Sequence, residues 1–201
     1  MGPFLRLAAV ACTLSAQVIE FESGGLQYQT LTKNGLTVMF AHLPASVREF
    51  SIVQLAVSNG SGIAHSIRPE DCAYELNGGT SLRAIPARNV VDSMISKASR
   101  NDVIRMVSTY ELGLYGLARF KSTNGYEQRR QSALAEVGSG KLKAAAAASA
   151  IAFVTAKLRP GESTDGAVFF ATGGRPTGPG RFVVRVSGEV FEFNPDSGLT
   201  H

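Results

Sequence analysis

Residues 49–74 read EFSIVQLAV, SNGSG and IAHSIRPEDCAY, and this stretch decides the fold class. Side chains alternate between two faces along the first run, which is typical of a β-strand that buries at least one face. Asn59-Gly60 tolerates the positive φ that a tight hairpin turn requires. Pro69 has no amide donor, so it fits an edge strand or the end of a pairing run. The stretch predicts two strands joined by a turn, and it contains no motif that indicates a chemical activity.

The same pattern continues on both sides of this stretch. Two alternating runs flank Lys33-Asn34-Gly35, and two more flank Ser187-Gly188, so each pair predicts a hairpin. The further predicted strands are Gln17–Phe21, Leu26–Thr32, Leu36–Leu43, Ser81–Ile85, Ala167–Thr172, Arg181–Val186 and Glu189–Phe193. Short antiparallel strands at regular spacing predict a sandwich or a barrel.

Between Ala87 and Lys157 the apolar residues recur at helical spacing. The predicted helices are Ala87–Ser99, Asn101–Leu117, Tyr126–Val137 and Lys141–Lys157. The uncharged part of the last helix is shorter than the ~20 residues that span a bilayer, so it is predicted to pack within a soluble protein. The predicted domains are a β-sandwich of residues 17–86 and 158–194, a helical insertion of residues 87–157, and a flexible tail of residues 195–201.

The N-terminus reads as an export signal. In residues 1–16, Arg6 is followed by a short apolar core and by small residues before Gln17. A buried N-terminal strand or helix is the alternative, and lipoprotein processing at Cys12 is a minor variant of export. Cleavage after Ala16 leaves Cys72 as the remaining cysteine, so stability must come from the core. The predicted location is extracytoplasmic: periplasmic, cell-envelope or secreted.

The charge is mildly basic. The chain of 201 residues has a formal net charge of +4 and a pI near 9.3. The basic residues are spread along the chain and do not form a cluster with aromatic residues on one face, so no nucleic-acid partner is expected. The excess of basic over acidic residues lies in the helical segment. It predicts an acidic protein partner or a peripheral contact with an anionic membrane surface. The alternative is that these basic residues only form a solvated helix face. The candidate partner-binding residues are Arg100, Arg105, Arg129, Arg130, Lys141 and Lys143.

Two short motifs resemble a known family. VSNGS at residues 57–61 followed by IRPEDC at residues 67–72, and LRPGES at residues 158–163 followed by GAVFF at residues 166–170, resemble segments of immunoglobulin-like domains in exported bacterial proteins of unknown function. Cys72 stands where that pattern has an aromatic residue, and the helical segment has no counterpart in its simplest members. The resemblance implies a mainly β fold with α: an immunoglobulin-like antiparallel β-sandwich interrupted by a helical insertion. It also implies an accessory, binding or structural module.

The residues that could carry chemistry are better explained by structural roles. His42 and His65, with Glu70 and Asp71, lack the spacing of a metal or acid–base motif, and the two histidines are predicted to be surface residues. Cys72 is predicted to be a buried small hydrophobe. The Gly/Pro-rich loop of residues 173–180 lacks the Gly-Lys-Ser/Thr sequence of a phosphate loop. No cofactor and no metal are expected.

The predicted function is an exported, non-enzymatic structural or protein-interaction module. The alternative is a hydrolase-type enzyme with a site assembled at the junction of sandwich and insertion. The helical insertion is predicted to be a binding surface, so replacing Ala87–Lys157 with a short Gly/Ser linker is expected to leave a folded β domain and abolish partner binding. The alternative is that the helix of Ala144–Val154 packs on an open sheet edge or face and is part of the core.

Overall fold

The computed structural model describes residues 17–23, 25–43, 46, 48–97, 99, 101, 104, 108, 110–111, 124–126, 128, 131 and 149–195. Helix α1 spans Ala87–Lys97, and a 3-10 turn spans Pro69–Asp71. The strands are β1 (Ile19–Ser23), β2 (Leu26–Lys33), β3 (Leu36–His42), β4 (Phe50–Asn59), β5 (His65–Ile67), β6 (Cys72–Leu76), β7 (Ser81–Arg83), β8 (Ala156–Leu158), β9 (Ser163–Ala171), β10 (Gly180–Val186) and β11 (Glu189–Phe193).

Two antiparallel sheets pack face to face, which confirms the predicted fold class of a mainly β sandwich interrupted by a helical part. The larger sheet has the order β1-β2-β3-β4-β9 and the smaller β11-β10-β6-β7, while β5 and β8 form a separate two-stranded ribbon. Among the described residues, no helix has the length and apolar character needed to cross a membrane.

The core between the sheets is built by alternate residues of facing strands. Phe40 on β3 stacks on Phe182 of β10 with ring centroids 4.6 Å apart. The other large side chains of this core include Val38, Val53, Leu55, Val57, Phe153, Phe170, Val184, Phe191 and Phe193. Together these side chains remove much apolar surface from water, and this burial is the main favourable term in folding.

Both hairpins predicted from local turn signals are confirmed. The turn between β2 and β3 has φ values of 47° at Asn34 and 79° at Gly35, and the turn between β10 and β11 has 51° at Ser187 and 86° at Gly188. Two consecutive residues of positive φ define the turn whose twist matches that of the flanking strands. The turn residues therefore set the register of each pair.

The predicted pairing of two strands within residues 49–74 is wrong. Strand β4 pairs with β3 and β9, whereas β5 pairs with β8 and β6 pairs with β10. Neither Asn59 nor Gly60 has the positive φ of a tight hairpin. Alternation reveals which face a strand buries but does not choose its neighbour.

Those residues of the helical segment that the structure describes pack on the outer face of the larger sheet. Val90 of α1 and the buried residues Tyr110, Tyr126 and Ile151 pack on that face. Strand β4 is therefore covered on both faces, and nearly all of its residues are buried. These contacts favour the second alternative for the helical segment, in which it belongs to the core.

The predicted helix that ends at Lys157 is wrong at its C-terminal end. The helical positions described there end at Ile151, Ala152 forms a parallel bridge with Ala167, and residues 156–158 form β8. Phe153 leaves the helical layer and enters the core between the sheets. Burial of this aromatic ring and pairing of the backbone override the helix propensity of the preceding alanines.

Candidate functional site

Four turns meet at one end of the sandwich, and we call them the turn cluster. They are Asn34-Gly35, Gly60–Ala64, Arg159–Glu162 and Ser187-Gly188. Antiparallel pairing brings them to the same end. The Gly60 N–H donates to Gly35 O at 2.8 Å, and Asn34 Nδ2 donates to Glu189 Oε1 at 2.7 Å.

Asn59, the last residue of β4, holds two of these turns. Its side-chain amide nitrogen donates to Ile63 O at 2.7 Å and to Leu158 O at 3.1 Å. Its amide oxygen accepts from the backbone N and the Oγ of Ser61, at 2.9 and 2.7 Å. Its backbone N–H donates to Glu162 O at 2.9 Å. Asn59 is fully buried, and its bond to Leu158 O lies inside the fold, where it is shielded from competing water.

The two motifs quoted from the sequence are therefore one structural unit. Asn59 belongs to the first motif, and Leu158 and Glu162 belong to the second. Ser163 Oγ also donates to Ser58 Oγ at 3.0 Å. The motifs stabilise the end of the sandwich, which is the scaffold role that their turn chemistry indicates.

His65 connects the turn after β4 to the turn after β10. Its Nε2 lies 2.9 Å from Ser61 Oγ, and its Nδ1 lies 2.9 Å from Ser187 Oγ. The imidazole is buried, with 8% of its surface exposed. The prediction that this histidine lies on the surface is therefore wrong, because two hydroxyls satisfy both ring nitrogens inside the fold.

The acceptors around the Ser61 hydroxyl bear on whether it can act as a nucleophile. Besides His65, it has two oxygen acceptors, Asn59 Oδ1 at 2.7 Å and Ile63 O at 3.1 Å. When the hydroxyl proton is used in the shorter of these bonds, Ser61 Oγ accepts from the Nε2–H tautomer of His65. A serine nucleophile needs the opposite arrangement, in which the imidazole accepts the hydroxyl proton. The geometry is that of a clamp between turns.

We expect Asn59→Ala to lower the free energy of unfolding by about 2–4 kcal/mol, because it removes four side-chain hydrogen bonds that hold the turn of residues 60–64 and the Leu158 carbonyl. Urea unfolding followed by circular dichroism measures this loss. Asn77→Ala is the matched control, since Asn77 is exposed and its backbone N–H, which donates to Pro179 O at 3.1 Å, is kept in the variant. Equal losses in both variants would contradict the clamp.

The turn cluster also presents an exposed apolar tip. Ile63 is 67% exposed, and its neighbours Gly62 and Ala64 are exposed as well. The residues on either side of this tip, Ser61 and His65, are held by the network. Loops that a rigid scaffold positions are frequent binding elements. The tip is thus an exposed apolar surface on a loop that the network positions.

The prediction for Cys72 is confirmed, because the side chain is buried without any exposed surface. Burial raises the pKa of the thiol, and the nearby Asp71 and Glu70 carboxylates raise that pKa further. A thiol that stays protonated is neither a nucleophile nor a metal ligand.

We expect the Cys12→Ser variant, in which Cys72 remains, to react with a thiol reagent at pH 8 at least about a hundredfold more slowly than the urea-unfolded chain. Absorbance of the released chromophore measures the rate. Rapid labelling without unfolding would contradict the burial of Cys72.

The other candidate residues are held apart. His42 Nε2 lies 2.9 Å from Thr177 Oγ1 in the Gly/Pro-rich loop. Asp71 accepts from Arg68 Nη2 at 2.8 Å beside the 3-10 turn. In the described part of the chain, no three His, Cys, Asp or Glu side chains lie together as a metal site.

A buried polar network lies at the junction of sandwich and helical segment. Asp165 is 1% exposed and accepts from Tyr110 Oη and from Asn124 Nδ2, the latter at 3.1 Å. Asn124 Oδ1 accepts from the Tyr126 N–H at 2.8 Å. Nearby on the same face, burial raises the pKa of Tyr28 to about 12. These contacts tie the helical segment to β9.

The predicted partner-binding residues lie outside the described residues: Arg100, Arg105, Arg129, Arg130, Lys141 and Lys143. Two basic residues of β10, Arg181 and Arg185, form ion pairs with Glu75 on β6. Arg185 and Arg181 donate to Glu75 at 3.0 and 2.9 Å, and these hydrogen bonds hold the pKa of Glu75 below its usual value.

Asn59 and Ser187 were not singled out by their chemistry in the sequence. The signal for Asn59 was its place at the end of an apolar strand, followed by Gly60 and Ser61, since an Asn side chain often bonds to the backbone two residues on. No local signal places Ser187 beside His65, because the contact joins residues far apart in sequence.

No family model and no curated protein matches this chain. Among solved structures, the crystal structure of the yjhA protein from Bacillus subtilis matches at 8% identity with a TM-score of 0.33, over 83% of this chain and 76% of that chain. A likeness this distant carries no argument about fold or function.

Proposed function

We propose that this chain is an exported, non-enzymatic module that binds another protein and has an immunoglobulin-like sandwich. The observation that carries the proposal is the turn cluster, in which a buried hydrogen-bond network holds the exposed tip at Ile63. A tip fixed before binding loses little conformational entropy when a partner docks. The composition of residues 1–16 supports export.

Export is tested by cell fractionation and N-terminal sequencing of the protein. We expect an extracytoplasmic protein that begins at Gln17, or one that begins at a lipidated Cys12. A cytosolic protein that retains Met1 would contradict export.

The interaction is tested by placing a photo-crosslinking amino acid at position 63. We expect illumination of the source cells to give one defined adduct, whereas the same amino acid at Ser81, exposed on β7, gives none. The partner is then purified, and Ile63→Asp is expected to weaken its binding by at least about tenfold, as for a central apolar anchor. Identical adducts from both positions would contradict the proposed surface.

A second candidate is a hydrolase whose site lies in the turn cluster rather than at the junction of sandwich and helical segment, because His65 Nε2 lies 2.9 Å from Ser61 Oγ. Esterase activity on a p-nitrophenyl ester tests it directly. We expect no turnover that depends on Ser61, because its proton is directed to Asn59. Turnover that Ser61→Ala abolishes would make the hydrolase the better assignment.

A further inference from the structure

Serine is an unusual residue at position 187. The turn between β10 and β11 holds φ at 51° for Ser187 and at 86° for Gly188. Turns of this type favour asparagine, aspartate or glycine at their first position, because other side chains are strained at positive φ. A residue that departs from such a local rule is often kept for what its side chain does. Ser187 is exposed at the surface of the turn cluster.

The hydroxyl of Ser187 has one side-chain partner among the described residues, the imidazole of His65. Ser187 Oγ lies 2.9 Å from His65 Nδ1. The serine is exposed, whereas the imidazole is buried. An accessible hydroxyl therefore lies against a buried base, and the chemistry of the pair depends on which ring nitrogen carries the proton.

The other side of the ring decides that tautomer. His65 Nε2 lies 2.9 Å from Ser61 Oγ. The two other oxygens around this hydroxyl, Asn59 Oδ1 at 2.7 Å and Ile63 O at 3.1 Å, have no proton to donate. The Asn59 amide is itself oriented, because its nitrogen donates to the Ile63 and Leu158 carbonyls. The Ser61 proton is therefore directed to one of these oxygens, and His65 Nε2–H donates to Ser61 Oγ.

A neutral imidazole with its proton on Nε2 is an acceptor at Nδ1. The hydroxyl of Ser187 therefore donates to His65 Nδ1, which is the arrangement that Ser61 lacks. An activated serine needs a base within hydrogen-bond reach and a third group that orients the base. Here Ser187 is the hydroxyl, His65 is the base and Ser61 orients the ring.

We propose that Ser187 is an acylation site, whose Oγ takes an acyl group from an ester or thioester with a good leaving group. Oγ attacks the carbonyl carbon and forms a new ester bond, while the bond from that carbon to the leaving group breaks. The Ser187 proton moves to His65 Nδ1 and then to the departing alkoxide or thiolate, so the imidazole ends neutral. This covalent modification goes beyond the proposed binding role, because it requires no partner at Ile63.

The probe is p-nitrophenyl acetate, added to the full chain. We expect one acetyl group on Ser187, identified by mass spectrometry of proteolytic peptides, with release of p-nitrophenolate. Ser81, exposed on β7, is the internal control and is expected to stay unmodified. Unfolding in urea is expected to slow acetylation of Ser187 at least about a hundredfold, because the positioned base is lost. Equal acetylation of Ser187 and Ser81, or an equal rate in the unfolded chain, overturns the proposal.

Variants of the three residues provide a second test. Ser187→Gly is expected to remove the acetyl group while keeping the turn, because glycine adopts positive φ without strain. His65→Gln is expected to slow acetylation at least about a hundredfold, and an unchanged rate in this variant, once folded, overturns the proposal. Ser61→Ala is expected to slow it less, and Ser61→Thr, which keeps the hydroxyl, to restore the rate. If His65→Gln does not fold, the comparison of Ser187 with Ser81 in the unchanged chain still decides.

Discussion

Gly166→Val is expected to prevent the stable packing of the helical segment on the larger sheet. A Cβ at position 166 would lie 2.5 Å from Phe153 Cα and 2.7 Å from Phe153 N. Both are backbone atoms, so no side-chain rotation relieves the overlap. Either β9 or the segment that crosses it must move, which breaks the bond from Phe153 N–H to Ala167 O and displaces a ring that is 1% exposed.

The expected loss is about 4 kcal/mol or more, as for removal of a large aromatic side chain from a core. Because a domain of this kind has only ~5–15 kcal/mol of stability in total, much of the protein should be insoluble on expression. Urea unfolding of the soluble fraction measures the loss. Gly78→Ala is the control, since nothing lies within 4 Å of its added Cβ. Unfolding of Gly166→Val at the urea concentration of the unchanged protein would contradict the close approach.

The sequence predicted the elements that depend on neighbouring residues. The two hairpins at Asn34-Gly35 and Ser187-Gly188 follow from turn residues that accept positive φ, and the structure has both. Alternation of side chains likewise predicted a strand from residue 50 onward. These signals come from neighbouring residues, so they can be interpreted without knowledge of the tertiary fold.

Pairing between distant strands was not predictable in this way. Strand β4 pairs with β9 over nine residues, yet more than a hundred positions separate them in the chain. Strand β9 suits this position because nearly all of its residues are buried, as those of β4 are. In addition, Gly166 has no side chain and therefore leaves room for Phe153. A glycine within an apolar strand was the available signal, since it often marks close approach of another backbone.

The candidate site likewise has one part that local sequence could predict and one part that depends on the tertiary fold. The Ser61 and His65 contact links residues four apart and lies within the stretch from which the fold was predicted. The third member, Ser187, comes from the last hairpin and depends on how the two sheets stack. The sequence thus predicted the turns but could not predict that they meet, because meeting requires the packing of Phe40 against Phe182.

Replacement of Ala87–Lys157 by a Gly/Ser linker is expected to give an insoluble or unfolded product. The deletion uncovers the outer face of the larger sheet, including five large buried side chains: Leu26, Tyr28, Phe50, Ile52 and Phe169. At up to about 2 kcal/mol each, their exposure costs about 10 kcal/mol, which is comparable to the total stability of a domain. The deletion also removes Phe153 from the core between the sheets.

A smaller replacement separates the helical layer from the crossing segment. A linker in place of residues 98–148 keeps α1, the bridge at Ala152, the Phe153 ring and strand β8. It removes the Tyr110 and Asn124 contacts to Asp165 and leaves that carboxylate buried with fewer partners. We therefore expect a soluble but less stable protein, with its midpoint in urea below that of the unchanged chain. If the full deletion instead gives a monomeric protein that unfolds cooperatively, the helical segment is a separable surface, and its basic residues become the better candidates for partner binding.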